Sequence, residues 1–380
     1  MTRSTEAERV RLHETFAALC RIASPSGHER SCADWVAAEL ETMGLEVSED
    51  GSGPAIGSDT GNLLARIAGR DEASLLLCAH LDTVPPVAAI DPVLVDGYWQ
   101  NANDGILGAD NKSAVAVMLE LARRLTAAGP PEIGIELLFT VCEEVSLRGS
   151  REFDVAQLRS AFGYVFDHAT PIGEVVVASP TLYRIVAEFR GRAAHAGVRP
   201  EVGRSAIVAA ARAITAMRLG RLDAGTTANV GMIDGGTAIN VVPERCTVLA
   251  EVRSLDDAVA AAVTTETIDH LEDAANASEC DLDLTVERMF KGFRTKPRAV
   301  ALMVAGRALR ACGYEPRPIE SGGASDANSL QSAGFSCTNL ADGTERNHEP
   351  GERISAAALE SLFEVALAIV DEAAQELAAR

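Results

Sequence analysis

Positive charge is scarce in this 380-residue chain: 34 Lys plus Arg stand against 55 Asp plus Glu, a formal net charge of −21. A chain so acidic is poorly suited to a nucleic-acid backbone, which is bound by dense cationic patches, so no nucleic-acid partner is expected. Lysine is rarer still, confined to Lys112, Lys291 and Lys296, a compositional bias from which no function is read. Eight cysteines are too dilute for a disulfide scaffold. No Cys-x-x-Cys pair occurs, which removes the usual signature of zinc fingers and thioredoxin-type redox sites. Cys78 and Cys142 lie in apolar runs, where reduced, buried thiols are expected. The first residues, Met-Thr-Arg-Ser-Thr-Glu-Ala-Glu, contain no apolar core of a signal peptide. No apolar stretch reaches the roughly 18 residues that a bilayer span needs. The expectation is a cytoplasmic chain with no membrane partner.

What is present is a globular composition, 47% apolar and 23% charged, with enough length for two domains. The first 45 residues read as two helices broken at Ser24-Pro25-Ser26-Gly27, with Ser24 or Ser26 as cap of the second. Residues 50–61 read as a loop; GSGPAIG (51–57) falls one residue off a dinucleotide fingerprint and opens no predicted helix. LLLCA (75–79), IELLFTVC (135–142) and GYVFD (163–167) are apolar runs of the kind found in strands buried on both faces. Between the first two, residues 112–128 carry helical periodicity up to the breaker Gly129-Pro130-Pro131. This alternation predicts an α/β fold with a mixed, largely parallel sheet flanked by helices.

Near Ser179-Pro180 the texture changes to strand, helix, strand, strand, helix, strand. RIVAEFRG (184–191) and TVLAEVRS (247–254) alternate, as strands solvated on one face do. The predicted organisation is a larger α/β domain over residues 1–180 and 294–380, interrupted at 181–293 by a smaller α+β open-faced domain.

Chemistry concentrates at the predicted strand ends. In CAHLDTVPP (78–86), His80 and Asp82 are two apart and leave the strand on one side. Asp82 could take a hydrogen bond from one ring nitrogen while the other binds a metal, or the pair could be a satisfied histidine beside a loop cap. Asp110 precedes a helix, where caps are commoner than ligands. Glu143 and Glu144 end a strand side by side and point different ways, so one can bind a metal while the other acts as a general base. Asp167 ends the third strand, and His348 lies in the polar stretch GTERNHEPGERIS (343–355). Singly each is weak. Together they gather where open α/β sheets build their sites, and their oxygen and nitrogen donors suit paired divalent ions.

The order HLDTVPP, GADNKSA, CEEVSLRGS, VFDHA, GGASDAN, NHEP resembles the co-catalytic di-zinc peptidases and aminoacylases. That group includes peptidase T, the aminoacylases, glutamate carboxypeptidase and succinyl-diaminopimelate desuccinylase, and the wording is most similar to the peptidase T-like branch. The resemblance implies that His80 and Asp167 bind one metal, Glu144 and His348 the other, and that Asp110 bridges them. It implies Glu143 as general base, Asp82 as the orienter of His80, and His195 as the group that polarises the scissile carbonyl. Asn240, Arg253, Gly322 and Gly323 match substrate-binding positions, although Ala324 stands where such chains often continue the glycine run. His13, His28, His168 and His270 match no ligand position. A cis peptide is implied between Asp110 and Asn111.

The implied cofactors are two divalent ions, zinc by default with manganese or cobalt as alternatives. The implied reaction is hydrolysis of an amide bond in a small peptide, most like a tripeptide aminopeptidase, by a metal-bridging hydroxide. One alternative is a deacylase of N-acyl or N-carbamoyl amino acids; another is a peptide- or metal-binding scaffold without turnover. The resemblance also implies that residues 1–180 and 294–380 are the catalytic, metal-binding domain and 181–293 a lid domain, with a homodimer formed through that lid, for which RIVAEFRG would offer a pairing edge.

Overall fold

The computed structural model describes residues 3–379 and divides into two compact units. The first runs through Val177 and resumes over Thr295–Ser321 and from Ser325 onward. The second comprises Ala178–Arg294 with Gly322–Ala324.

The first unit is built on a mixed sheet whose centre is parallel. Its strands run in the order Val47–Glu49, Leu63–Ile67, Gly134–Thr140, Ser74–His80, Ser160–Phe166, Cys337–Leu340 and Glu174–Ser179. Gly134–Thr140, Ser74–His80, Ser160–Phe166 and Cys337–Leu340 are mutually parallel, and antiparallel strands flank them. Residues along Ser74–His80 alternate between two covered faces. Leu75, Leu77 and Ala79 join the main core with the helices Glu6–Arg21, Ala109–Ala128 and Ala356–Ala378. On the other face the Cys78 thiol meets Asp326 at the start of the helix Asp326–Ser332. Burial on both faces explains the unbroken apolar runs of these strands.

Parallel register has a direct consequence for chemistry. His80 pairs with Thr140, and Leu340 with Phe166, so the residues that follow these strands emerge along one edge. Asp82, Glu143, Glu144, Asp167 and Asp342 all lie just beyond those ends.

In the second unit, five antiparallel strands run in the order Gly220–Arg221, Thr226–Gly235, Arg245–Ser254, Thr181–Arg190 and Asp281–Phe290. The helices Ala206–Ala216 and Asp257–Ala277 cover one face, burying Ile185, Ala187, Phe189, Val248 and Val252. Alternate residues of Arg245–Ser254 remain partly exposed, so the sheet is open-faced.

Three local expectations need correction. The segment RIVAEFRG is no edge: Thr181–Arg190 is hydrogen-bonded on both sides, to Arg245–Ser254 and to Asp281–Phe290. Alternation reports which face a residue takes and says nothing of how many neighbours the strand has. Ser24 and Ser26 do not cap the helix Arg30–Thr42. Their hydroxyls instead donate to Leu81 O at 2.8 Å and to Asp82 Oδ2 at 2.7 Å. The stretch 51–57 holds a single helical turn, Gly53–Ile56, ended by Gly57 at φ 77°. All eight cysteines are free. Among the described residues no helix is long and apolar enough to cross a membrane.

Candidate metal centre

His80 closes the strand Ser74–His80 and is 1% exposed. Its Nε2 lies 3.0 Å from Asp110 Oδ1 and 3.8 Å from Asp167 Oδ1. Its Nδ1 is 2.9 Å from the backbone carbonyl of Asp82 and 3.4 Å from the Asp82 carboxylate. The carbonyl is therefore the nearer orienting contact. The Asp82 carboxylate is occupied elsewhere: Oδ1 accepts the N–H of Glu143 at 3.0 Å, and Oδ2 that of Glu144 at 3.1 Å. So Asp82 acts on both glutamates as well as on His80.

Asp110 precedes the helical part of Ala109–Ala128, which shows non-helical dihedrals at Asp110 and Asn111. The peptide between those two residues is cis. The two Asp110 oxygens face opposite partners: Oδ1 meets His80, while Oδ2 is 3.4 Å from His348 Nε2. His348 Nε2 lies 2.9 Å from Glu144 Oε2. Two sets of three ligand-type groups gather, His80 with Asp110 and Glu144, and His80 with Glu143 and Asp167. Within each set the donor atoms are within 4.8 Å of one another. Glu143 is thus near enough to Asp167 and His80 to serve as a ligand or as a base.

The donor chemistry fits divalent ions. All donors are imidazole nitrogen or carboxylate oxygen, as zinc, manganese and cobalt accept. The carboxylates crowd one another. Burial, with Asp167 close by, pushes Glu143 well above the ordinary range, and burial with Asp110 close by does the same to Asp167. Burial opposes ionisation of Asp110 too, but hydrogen bonds from His348 and His80 hold its carboxyl low. Burial works against a charged His80, yet its bonds to Asp110, Asp167 and Asp82 raise it well above 6.5. His348 is raised to about 10 by Asp110 and Glu144. Both imidazoles thus face carboxylates at the atoms a metal would use. Asn347 Oδ1, whose own Nδ2 donates to Asp110 Oδ2 at 2.8 Å, is buried without a partner.

Three buried groups that the sequence reading did not single out hold this edge in place. Glu29 Oε1 accepts the N–H of Cys142 at 3.0 Å, fixing the residue before Glu143. Asn339 exchanges bonds with the backbone of Asp167, accepting its N–H at 3.0 Å and donating to its carbonyl at 2.7 Å. Glu352 accepts backbone N–H groups around Asp110. Glu352 stands inside the motif GTERNHEPGERIS, but a carboxylate that serves only backbone leaves no side-chain pattern to read.

In the second unit, Ala194–His195 pairs with Val241–Val242, and Ala196 N–H donates to Asn240 O at 2.9 Å, which brings His195 and Asn240 onto one ribbon. His195 is exposed, and its Nδ1 accepts the N–H of Gly197 at 3.2 Å. That bond leaves Nε2 as the protonated, donating nitrogen. Arg253 forks onto Glu251 at 2.9 and 3.1 Å and reaches Gly322 O at 3.4 Å. Gly323 O accepts from Ser179 Oγ at 2.8 Å. Of the remaining histidines, His13 lies between Trp99 Nε1 at 2.9 Å and Glu360 Oε1 at 3.1 Å.

Two family profiles match the chain: "Peptidase family M28" over residues 62–169 and "Peptidase dimerisation domain" over residues 181–279. An uncharacterized protein of Bacillus subtilis, YqjE, is 34% identical over 366 residues, 96% of this chain and 99% of the relative. The crystal structure of aminopeptidase PepT from Bacillus cereus is similar at 35% identity and TM-score 0.86, over 96% of this chain and 98% of that one. A tripeptidase from Staphylococcus aureus is similar at 32% identity and TM-score 0.91, over 97% and 99%.

Proposed function

This chain belongs to the co-catalytic metallopeptidase superfamily, beside its peptidase T-like members, and from that premise we propose that it is an aminopeptidase of small peptides, most like a tripeptidase. The observation that carries the reading is Asp110, whose two oxygens face His80 on one side and His348 on the other. His80 and Asp167 would hold one ion, Glu144 and His348 the second, and Asp110 would be shared. Two ions so held, zinc by default, would serve as Lewis acids toward the scissile carbonyl and acidify water.

The chain's own residues do the rest. Glu143, largely buried and with a raised proton affinity, takes a proton from the attacking water and passes it to the leaving amine. Asp82 keeps Glu143 aimed through its bond to the Glu143 N–H, and keeps His80 turned with its Nε2 toward Asp110 and Asp167. His195, donating through Nε2, would stabilise the carbonyl oxygen as it gains charge. Arg253, Asn240, Gly322 and Gly323 would hold the far end of the peptide, its carboxylate or backbone. The inserted unit, matched by the dimerisation profile, would pair two chains.

The deciding experiment incubates the zinc-loaded protein with di- and tripeptides bearing free amino ends and with N-acyl amino acids, and follows amine release. Tripeptides should be cut after the first residue. Turnover of acylated compounds alone would reassign the chain to the deacylases, and no turnover with both ions bound would leave a scaffold.

A further inference from the structure

Glu352 is 1% exposed and stands four residues beyond His348. Its Oε1 accepts the N–H of Asp110 at 2.9 Å, and its Oε2 accepts those of Leu107 and Gly108, also at 2.9 Å. These donors need an acceptor from outside. Regular helix in Ala109–Ala128 begins only beyond Asn111, so residues 107–110 form an irregular turn ahead of it, with Gly108 at φ 76°. The N–H groups of such a turn have no partner in helix or sheet, and a buried N–H left unpaired is costly. Here the acceptor comes from a stretch more than 240 residues away. That same stretch carries His348.

We propose that Glu352 is the positioning residue for Asp110: by clamping the backbone of residues 107–110 it aims one carboxylate oxygen at His80 and the other at His348. The inference rests on the reading of Asp110 as the ligand shared by two ions. A glutamine at 352 keeps the shape but has one accepting oxygen, and its NH₂ must face at least one N–H. The segment then relaxes, and the shared carboxylate loses its aim toward both partners. Loss of His80 or His348 would weaken mainly one ion; loss of Glu352 should weaken both. Outer groups that orient ligands typically change metal affinity by about 10–100-fold.

The test is a two-site Zn²⁺ titration of the metal-free full-length protein against a fluorescent chelator, with thermal melting alongside. Glu352→Gln should raise both dissociation constants by about 10–100-fold. Glu352→Asp, which keeps the charge and shortens the reach, should fall between and serves if the glutamine variant does not fold. Glu136→Gln is the control. Glu136 is likewise 1% exposed and accepts two backbone N–H groups, of Arg159 and Ser160 at 2.9 Å, but far from the strand ends that carry the ligands. It should lower the melting temperature and leave both affinities at wild type. Wild-type affinities in the Glu352 variants, or a loss confined to one ion, would overturn the proposal while the metal centre stood. A wild-type protein that takes up fewer than two ions would remove the metal-centre reading itself, and the proposal with it.

Discussion

At the scale of single residues, Glu143 and Glu144 share a backbone and differ in what they touch. Glu144 meets His348 at 2.9 Å, whereas Glu143 gathers with His80 and Asp167 and has no imidazole bound to it as closely. If Glu143 is the base, Glu143→Ala should lower kcat by about 10²–10⁴-fold, with two ions still bound and the melting curve unchanged. His80→Ala or Asp167→Ala should instead lose metal and the stability that bound metal adds. Metal analysis beside kinetics separates the two, and a Glu143→Ala enzyme retaining most of its activity would show that the other glutamate is the base. The histidines set a pH dependence. Asp110 and Glu144 raise His348 to about 10, so at neutral pH an ion must expel its proton to bind. Zn²⁺ affinity should therefore rise with pH between 6 and 8, by about tenfold per unit for each proton expelled. Calorimetry in buffers of different ionisation enthalpy counts those protons, and an affinity flat across this range would contradict a protonated His348.

At the scale of elements, the central strands were legible because burial on both faces leaves continuous apolar runs. Ser74–His80 and Gly134–Thr140 are buried at every position. Pro92–Val95 and Tyr98–Asn101, half exposed in a small separate sheet, carry no such run and were not legible. The candidate ligands could be read as a set because each follows a strand or precedes a helix. The residues that aim them, Glu29, Asn339 and Glu352, could not, since their work is on backbone groups brought near only by the fold. Ser26 shows the same limit: near a predicted helix it reads as a cap, yet the fold offers it the Asp82 carboxylate. Close strand packing gives an independent test. A Cβ on Gly163 would stand 2.7 Å from Leu76 Cβ and 2.9 Å from Leu76 O, on the neighbouring strand. Gly163→Ala should cost about 1–3 kcal/mol, seen as a lower denaturant midpoint at unchanged slope.

At the scale of the whole molecule, the question is whether one chain makes a working enzyme. The inserted sheet leaves an edge along Thr226–Gly235, which beyond its pairing to Gly220–Arg221 has Met232 60% and Ile233 52% exposed. An exposed apolar edge of this kind invites pairing with a second copy. If two chains join there, Met232→Asp with Ile233→Asp should give monomers in sedimentation. If the partner also lends its His195, the monomers should lose activity while keeping their metal. A mixing experiment then decides whose His195 serves which site. Glu143→Ala and His195→Ala should each be nearly inactive alone. In a mixed dimer, the chain that keeps Glu143 receives an intact His195 from its partner, so one of the two sites is complete. Random reassortment makes about half the dimers mixed, so activity should recover to roughly a quarter of wild type. Reassortment without recovery would assign His195 to its own chain's site, and a wild-type protein that sediments as a monomer would remove any role for the partner.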